Sequence, residues 1–445
     1  MNSGEVHTRR SSRQTRNVSS SNLSLLRKLK TLFYSAGPGL ITGASDDDPS
    51  GIATYAQGGA QFGYGVLWLT LFSFPLMCAI QEVSARLGRI TGAGIAAGMS
   101  KAFPRWIVIS VVTCVFVATI FNLGADLGAM ADVLHTLVHG PQWIHLIWIA
   151  ALSAALQVFM HYRQYVKYLK FLALALLAYV ITAFLTRTDW ASALLATIAP
   201  PVRSFTDGYV AIAVAVLGTT ITPYLFFWQS SQEVEELQTH ARQKALIEAP
   251  EQAEGQFRRI REDTYSGMAA SNLVAFFIML TTASTIHLQG ITKIQTAMQA
   301  AQALKPLAGR FAYLLFAAGI IGTGALALPV MAGSAAFALA ELMRWRAGLQ
   351  YKPRRALPFN ATIVAAMAIG VTLNFVHLNP IRALVIAAVI NGIVAAPVMA
   401  ATMLLAGNRK IVGDFKLPRY LFIGGWIATA VMGAASALFL EQMIF

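Results

Sequence analysis

The sequence predicts an all-α integral membrane protein made of two inverted repeats of five spans and one additional helix. Three observations support this fold class. The composition is strongly apolar, eleven apolar runs are long enough to cross a bilayer, and the first span of each half is interrupted by proline and glycine. Of the 445 residues, 56% are hydrophobic and 12% are charged, whereas soluble proteins carry about 25% charged residues. The composition therefore excludes an ordinary soluble domain.

The eleven predicted spans follow from the thickness of a membrane, because a hydrocarbon core of about 30 Å needs about 20 apolar residues of helix. We expect tilt or a helical extension in spans 3 and 8, which are the longest. The predicted spans lie near residues 36–57, 62–86, 105–138, 142–161, 165–186, 208–230, 265–288, 311–343, 358–378, 380–406 and 418–443.

The basic charge of the chain, +14 at neutral pH, is explained by membrane orientation. If the N-terminus is cytosolic, 28 of the 34 Lys and Arg residues fall on the inner side of the membrane. Cytosolic loops carry such an excess of basic residues. We therefore predict a multi-pass protein of the cell inner (plasma) membrane, with the N-terminus in the cytoplasm and the C-terminus outside. We expect the lipid bilayer as a partner, no nucleic-acid partner, and a monomer.

The domain organisation has two parts. Residues 1–34 are rich in Ser and Arg and are predicted to form a disordered basic cytosolic tail. A mitochondrial transit segment has a similar composition and is the alternative. Residues 35–445 form the transmembrane domain, with repeat one at 36–187, repeat two at 208–406 and the additional helix at 418–443. The polar connection 231–263 between the repeats is predicted to be cytosolic and partly helical between Glu233 and Ile247.

Helix breaks are predicted at corresponding places of the two halves. Span 1 contains Pro49 among several glycines, and span 6 contains Pro223 one turn after Gly218. Either proline alone could be a mere kink. Paired breaks in two repeats indicate a transporter whose site lies near the middle of the membrane.

The stretch "SDDDPSG" places three aspartates at the first break. Each ionised Asp at the centre of a span costs about 2.5–3.5 kcal/mol, and span 1 has no Lys or Arg to compensate. A bound cation meets this need, because carboxylates and freed backbone carbonyls are hard oxygen ligands. We expect Asp48 to bind the ion directly and Asp46 and Asp47 to line a polar vestibule. The alternative is that the acids are exposed at a span end.

Other polar residues within spans receive secondary assignments. Asn122 and Asp126 share a face of span 3, and both are assigned to the vestibule or the proton or ion pathway. For Asp126, a second cation or proton stop and an ion-paired structural group are equally open. Glu82 lies four residues before Arg86, a spacing that suits an internal ion pair. Single polar groups that we expect to connect helices are Asn374, His377 and Asn391, the last also assigned to the ion pathway.

Enzymatic function is disfavoured. The histidines are scattered, and the sequence has no nucleophile motif and no phosphate-binding loop. Cys78 and Cys114 lie in predicted spans without a metal-ligand pattern. No cofactor is expected, and any metal would be transported substrate.

The segments "GPGLITGASDDDPSG", "QEVSARLGRITG", "LGTTITPYLFFW" and "EDTYSGMAASNLVAFF" resemble, in order and spacing, segments of the NRAMP family of divalent-metal transporters. The resemblance extends from about residue 37 to 413 and implies the LeuT fold, in which helices 1 and 6 are broken. It places Asp48 on the family's metal-binding Asp. It also places Gly51, Thr222 and Tyr224 where the family has Asn, Met and His.

These replacements have chemical consequences. Thr222 in place of a thioether implies a hard, all-oxygen site, and Gly51 in place of Asn implies a wider one, which suits an ion that keeps part of its water shell, as Mg²⁺ does. The family's Glu three residues after Asp126 is Ala129 here, which makes proton coupling doubtful. The pattern is therefore most similar to the NRAMP-related magnesium transporter branch.

The leading functional prediction is a secondary transporter that imports divalent cations by alternating access, with Mg²⁺ first and Mn²⁺ second. Predicted metal-site residues are Asp48, Asp47, Thr219, Thr222, Tyr224 and Gly51. One alternative is a proton-coupled Mn²⁺ or Fe²⁺ importer of the ordinary NRAMP type. Another is a carrier of small solutes on the same fold, and a channel or receptor is a more remote one.

Overall fold

A computed structural model of the chain describes residues 38–160, 174–200, 207–240, 243–376 and 378–444. Within these ranges the secondary structure is helical and contains no strand. The predicted basic tail, the beginning of span 5 and His377 lie outside the described residues.

The described ranges contain 18 α-helices, joined in places by short 3-10 turns. In chain order they are α1 (Pro38–Asp46), α2 (Pro49–Phe62), α3 (Trp68–Thr91), α4 (Ile95–Ala102), α5 (Arg105–Val138), α6 (Gln142–Phe159), α7 (Leu177–Leu185), α8 (Trp190–Ile198), α9 (Asp207–Thr220), α10 (Pro223–Thr239), α11 (Ala253–Thr285), α12 (Ala297–Ala301), α13 (Lys305–Ala308), α14 (Ala312–Met343), α15 (Leu357–Leu373), α16 (Pro380–Gly407), α17 (Arg409–Val412) and α18 (Arg419–Ile444).

The predicted spans coincide with helices throughout the described part of the chain. Nine helical stretches there are long and apolar enough to cross a membrane, and the bent pair of α7 and α8 makes a tenth. Span 1 adds to these as two half-helices, α1 with 9 residues and α2 with 14, each too short to cross alone. The extension expected in span 3 is found as the 34 residues of α5.

Both predicted breaks are present, and they have the same form. Span 1 stops at Asp46 and resumes at Pro49, and span 6 stops at Thr220 and resumes at Pro223. In each case two residues are non-helical and a proline occupies the first position of the next helix. Proline suits that position because its fixed φ is helical and its missing N–H would have no partner there. Local sequence thus fixes where both helices are interrupted.

The helices that carry the breaks are enclosed by long helices from both halves. The long helix of span 3, α5, packs along α14 of span 8, its equivalent in the second half, while α9 packs on α16. Both halves of span 1 pack against α11. The two breaks therefore lie in the interior of the helix bundle.

Glycines let α1 approach α11 closely. A Cβ placed on Gly43 would collide with the backbone of Gly267, and one on Gly39 would lie 2.7 Å from the Thr264 backbone nitrogen. The backbone N–H of Gly39 also donates to Asp263 Oδ2 at 2.6 Å. This end of span 1, which is predicted to be cytosolic, is held against span 7.

Ion pairs connect the helices at the same end. Glu233 of α10 is 1% exposed and contacts Arg259 of α11 at 2.5 Å and Arg89 of α3 at 3.7 Å. The predicted pair of Glu82 and Arg86 is confirmed, with 2.6 Å between them.

The polar connection 231–263 was predicted to be helical between Glu233 and Ile247. The structure instead has helix at the two ends of the connection and little in its middle. Helix α10 continues to Thr239 and α11 begins at Ala253. The predicted helix between Glu233 and Ile247 is therefore present only in its first part, while residues 241 and 242 lie outside the described ranges.

Candidate cation site at the paired helix breaks

Asp48 lies in the first break and caps α2. Its extended backbone (φ −71°, ψ 169°) points one carboxylate oxygen back at the helix. Oδ1 accepts hydrogen bonds from the Gly51 backbone N–H and the Ser50 hydroxyl, each at 2.7 Å. The N-terminus of a helix favours a negative charge. The local sequence therefore holds the carboxylate in a fixed orientation.

The second oxygen of Asp48 faces spans 3 and 6. Asn122 Nδ2 donates to Asp48 Oδ2 at 2.9 Å, and Tyr224 Oη donates to it at 3.2 Å. All of these hydrogen-bond donors are neutral, and Asp48 is only 2% exposed. Within the described residues neither Lys nor Arg donates a hydrogen bond to this carboxylate, so its burial needs a cation or a proton as compensation.

The second break contains two oxygen atoms that could bind a metal, and they are hydrogen-bonded to each other. The Thr222 hydroxyl donates to the Thr219 carbonyl at 2.7 Å, and both residues are buried. That carbonyl belongs to the last turn of α9, where intrahelical donors are lacking. Rotation of the Thr222 hydroxyl would release an oxygen from each residue toward a ligand.

The expected widening at Gly51 is wrong for this structure. A Cβ on Gly51 would lie 3.1 Å from Thr219 Oγ1 and 3.3 Å from the Tyr55 ring. The Thr219 hydroxyl and the aromatic ring occupy the space that a longer residue at position 51 would take. Gly51 permits close approach of the two breaks instead of enlarging the site.

Asn122 is at the centre of the polar contacts around Asp48. Its Oδ1 accepts a hydrogen bond from Asn391 Nδ2 at 3.2 Å, and its Nδ2 lies 3.0 Å from the Met331 sulfur. Sequence reasoning missed Met331, because nothing in the apolar sequence of span 8 distinguishes it from a core methionine. The expectation of an all-oxygen site stays a prediction, although a sulfur atom lies next to the amide that contacts Asp48.

Asp46 and Asp47 have a different partner from Asp48. The hydroxyl of Ser271 on α11 donates to Asp46 Oδ2 at 2.6 Å and to Asp47 Oδ1 at 3.1 Å. Both aspartates are buried, with 1% and 5% exposure. In this structure they do not line an open vestibule, and they are held on the span 7 side of the break.

Asp126 lies one turn after Asn122 on α5 and is completely buried. No side chain of the described residues donates a hydrogen bond to its carboxylate oxygens, and no Lys or Arg there forms an ion pair with it. The Asp48 carboxylate and the Ser50 backbone lie near enough to affect its charge. Its role as a second stop for a cation or proton stays a prediction.

The other assigned residues have structural contacts. Gly218 meets the backbone of Gly392 on α16, and Asn374 donates to the carbonyls of Gly124 and Gly370, as expected of a residue that connects helices. No group of three His, Cys, Asp or Glu side chains that could hold a metal occurs in the described ranges. A cation at the breaks would therefore be bound by one carboxylate and several neutral donors.

Comparison with known proteins agrees with this arrangement. The sequence model of the family described as "Natural resistance-associated macrophage protein-like" matches residues 39–442. The chain belongs to the Nramp family. The family match extends across the described helices from α1 to α18, so it includes both breaks and all the residues around Asp48.

Similar Nramp proteins are named as metal transporters. The chain is 24% identical over 429 residues to the divalent metal cation transporter MntH of Caldanaerobacter subterraneus subsp. tengcongensis, which covers 94% of this chain and 96% of the relative. It is 25% identical over 421 residues to MntH of Klebsiella pneumoniae (strain 342), with 93% and 95% covered. The likeness is distant but extends over nearly the full length of both chains.

Solved structures show the same fold. The Eremococcus coleocola manganese transporter superposes with a TM-score of 0.69 at 16% identity, covering 93% of this chain and 87% of that chain. Mhp1, a nucleobase-cation-symport-1 family transporter in a closed conformation, superposes with a TM-score of 0.59 at 11% identity, with 92% and 93% covered. The fold of this Nramp chain is therefore the LeuT-like one that the paired breaks predicted.

Proposed function

We propose that this chain is a secondary transporter that moves divalent metal cations across the plasma membrane by alternating access. The observation that carries the proposal is the buried Asp48 carboxylate, which has one oxygen held by a helix cap and the other directed at neutral donors from spans 3 and 6. An isolated buried charge is unfavourable. A divalent cation would bind it and would be released when the breaks move apart.

The leading cargo is Mn²⁺ or a similar transition ion. The sequence-based prediction had placed Mg²⁺ first and an Mn²⁺ or Fe²⁺ importer as the alternative. Two observations favour it over Mg²⁺. The full-length relatives are named divalent metal cation transporters and a structural neighbour is a manganese transporter. The Met331 sulfur lies beside Asn122, and sulfur ligands favour transition ions over Mg²⁺.

Mg²⁺ is the second candidate, and the break of span 6 favours it. Thr222 places a hydroxyl next to the Thr219 carbonyl, and such oxygens are ligands that Mg²⁺ accepts. We propose Asp47 and Asp46 as groups that attract the ion, and Asn391 and Asp126 as members of its pathway. Tyr224 would hold Asp48 in place when no ion is bound.

The membrane arrangement belongs to the same proposal. The distribution of Lys and Arg supports a cytosolic N-terminus, an outer C-terminus, repeats at 36–187 and 208–406, and an additional helix at 418–443. A monomeric functional unit is part of the same proposal. Spans 1 and 6 would rock against spans 3 and 8 to expose the breaks to each side in turn.

Metal flux into proteoliposomes tests the proposal. The purified chain should take up Mn²⁺, in competition with a panel including Fe²⁺, Mg²⁺ and Ca²⁺. Asp48→Ala should abolish uptake while leaving the monodisperse folded protein intact. Asp414→Ala, which removes an exposed carboxylate, should transport like the unaltered chain. Uptake that is unchanged in Asp48→Ala would reject the site.

A further inference from the structure

We propose that the Met331 thioether and the Asn122 amide oxygen are ligands of the transported ion, so that this chain takes its sulfur ligand from span 8. The inference rests on the proposed function and specifies how that site selects its metal. Met331 Sδ lies 3.0 Å from Asn122 Nδ2, which lies 2.9 Å from Asp48 Oδ2. Met331 and Asn122 are both completely buried.

The two distances from Asn122 to Asp48 and Met331 are compatible with a coordination shell. Neighbouring ligands in an octahedron with metal–oxygen distances of about 2.1 Å are about 3.0 Å apart. The Asp48 oxygen and the Asn122 amide have nearly that separation, 2.9 Å. With the zinc–thiolate distance of about 2.3 Å as the lower limit for a thioether, the oxygen–sulfur separation is at least about 3.1 Å, and the amide and the sulfur are 3.0 Å apart before any ion binds.

Amide rotation would convert the present hydrogen bonds into ligation. In this structure Asn122 presents its NH₂ group to Asp48 and Met331, and an NH₂ group cannot bind a cation. A half-turn of the amide would place Oδ1 there and turn Nδ2 toward Asn391. The Oδ1 atom of Asn391 has no hydrogen-bond partner in the structure, so a matching half-turn of Asn391 would let it accept from Asn122.

The second break explains why the sulfur matters. Span 6 contributes the Thr222 hydroxyl, which is already bonded to the Thr219 carbonyl, and brings no sulfur at its break. Met331 on α14 reaches the same region from span 8. A thioether there gives transition ions an advantage over Mg²⁺ and Ca²⁺ that oxygen ligands alone would not give.

Replacement of the sulfur tests the inference by its effect on selectivity. Met331→Leu preserves an apolar side chain of similar size, and Met99→Leu is the matched control at another completely buried methionine. In proteoliposomes, Met331→Leu should raise the KM for Mn²⁺ and the half-inhibiting Cd²⁺ concentration by at least about tenfold. Inhibition by Mg²⁺ should stay the same, and Met99→Leu should match the unaltered chain.

The outcomes separate this inference from the proposed function. If folded Met331→Leu keeps the Mn²⁺ to Mg²⁺ and Cd²⁺ to Mg²⁺ ratios of the unaltered chain while Asp48→Ala abolishes uptake, the sulfur ligand is disproved and the transporter stands. If the unaltered chain takes up no divalent ion, both are disproved.

A spectroscopic measurement tests for a sulfur ligand to the ion even if Met331→Leu fails to fold. The protein for this measurement is the full chain with the substitutions Cys78→Ala and Cys114→Ser, which leave methionine as its only source of sulfur. The X-ray absorption spectrum of Cd²⁺ bound to it should show a sulfur neighbour. The sulfur signal should disappear together with binding in Asp48→Ala. A shell of oxygen and nitrogen alone would overturn the inference.

Discussion

The amide of Asn122 donates, across 2.9 Å, to the one oxygen of Asp48 that the helix cap leaves available. This contact joins span 3 to the break of span 1 without using a charged partner. It shows how a carboxylate with 2% exposure is held in place although no Lys or Arg in the described part of the chain donates a hydrogen bond to it. The same contact yields the first of four predictions.

Asn122→Leu should weaken metal transport more than it weakens the fold. It removes the hydrogen bond to Asp48 and the amide oxygen proposed as a ligand, and we expect the KM for Mn²⁺ to rise at least about tenfold. Asn374→Leu is the control, because Asn374 bonds only to backbone carbonyls of neighbouring helices. Asn374→Leu should lower the melting temperature and leave the KM for Mn²⁺ unchanged. A raised KM in Asn374→Leu together with an unchanged KM in Asn122→Leu would contradict the assignment of Asn122 to the ion site.

Asp126→Asn should lower metal uptake without destabilising the protein. Asp126 is a buried acid, and a buried acid without a charged partner avoids the cost of an isolated charge by holding a proton. The Asn amide is a neutral group of the same shape, so the melting temperature in detergent should stay close to that of the unaltered chain. Since we place Asp126 in the ion or proton pathway, uptake should fall in this variant or lose its dependence on pH. Full transport with an unaltered pH dependence would show that the carboxyl group is not part of the pathway.

Glu233→Gln should destabilise the end predicted to be cytosolic. Glu233 is 1% exposed and contacts Arg89, whose side chain is completely buried, and Arg259. Removal of one member of a buried ion pair costs about 3–5 kcal/mol when the remaining charge has no other partner. Here Glu236, at 3.2 Å from Arg259 and 4.0 Å from Arg89, keeps part of the compensation, so the loss should fall below that range.

Glu262→Gln is the control for that measurement. Its ion pair with Arg258 is 2.8 Å long, but the two side chains are 65% and 81% exposed. Such a pair contributes about 0–1 kcal/mol. Equal melting temperatures of the two variants would argue that the buried cluster does not hold the helices together.

Gly43→Ala should loosen α1 from α11. A Cβ at position 43 would collide with the Gly267 backbone, which cannot move aside as a flexible side chain could. We expect a cysteine introduced at Ser271, beneath α1, to be labelled faster from the predicted cytosolic side in Gly43→Ala. Gly255→Ala is the control, since a Cβ there meets nothing within 4 Å. Identical labelling in both would show that the contact does not close this end.

The membrane spans and the two helix breaks depend on local sequence and could be predicted from it. The apolar runs gave the spans, because the bilayer sets their length. Pro49 and Pro223 gave both breaks, because proline suits the first position of a helix. Among the three aspartates, Asp48 could be singled out because it immediately precedes Pro49 at the break.

Features that depend on how distant helices meet were not predictable from one sequence. Met331 reaches Asn122 only because α14 packs along α5, and 209 residues separate the two in the chain. The partner that Ser271 provides to Asp46 and Asp47 likewise comes from span 7. The width expected at Gly51 was wrong because residues of span 6 and Tyr55 fill that space.

Asp48 alone balances only half the charge of a divalent ion, and the break carries no further negative charge when the neighbouring Asp46, Asp47 and Asp126 hold protons. The loaded break would carry surplus positive charge through the interior of the bundle. A voltage that is negative inside acts on such a charge with about 2.3 kcal/mol for each 100 mV. Entry of the ion could therefore draw energy from the membrane potential itself, even if no acid in the protein gains or loses a proton.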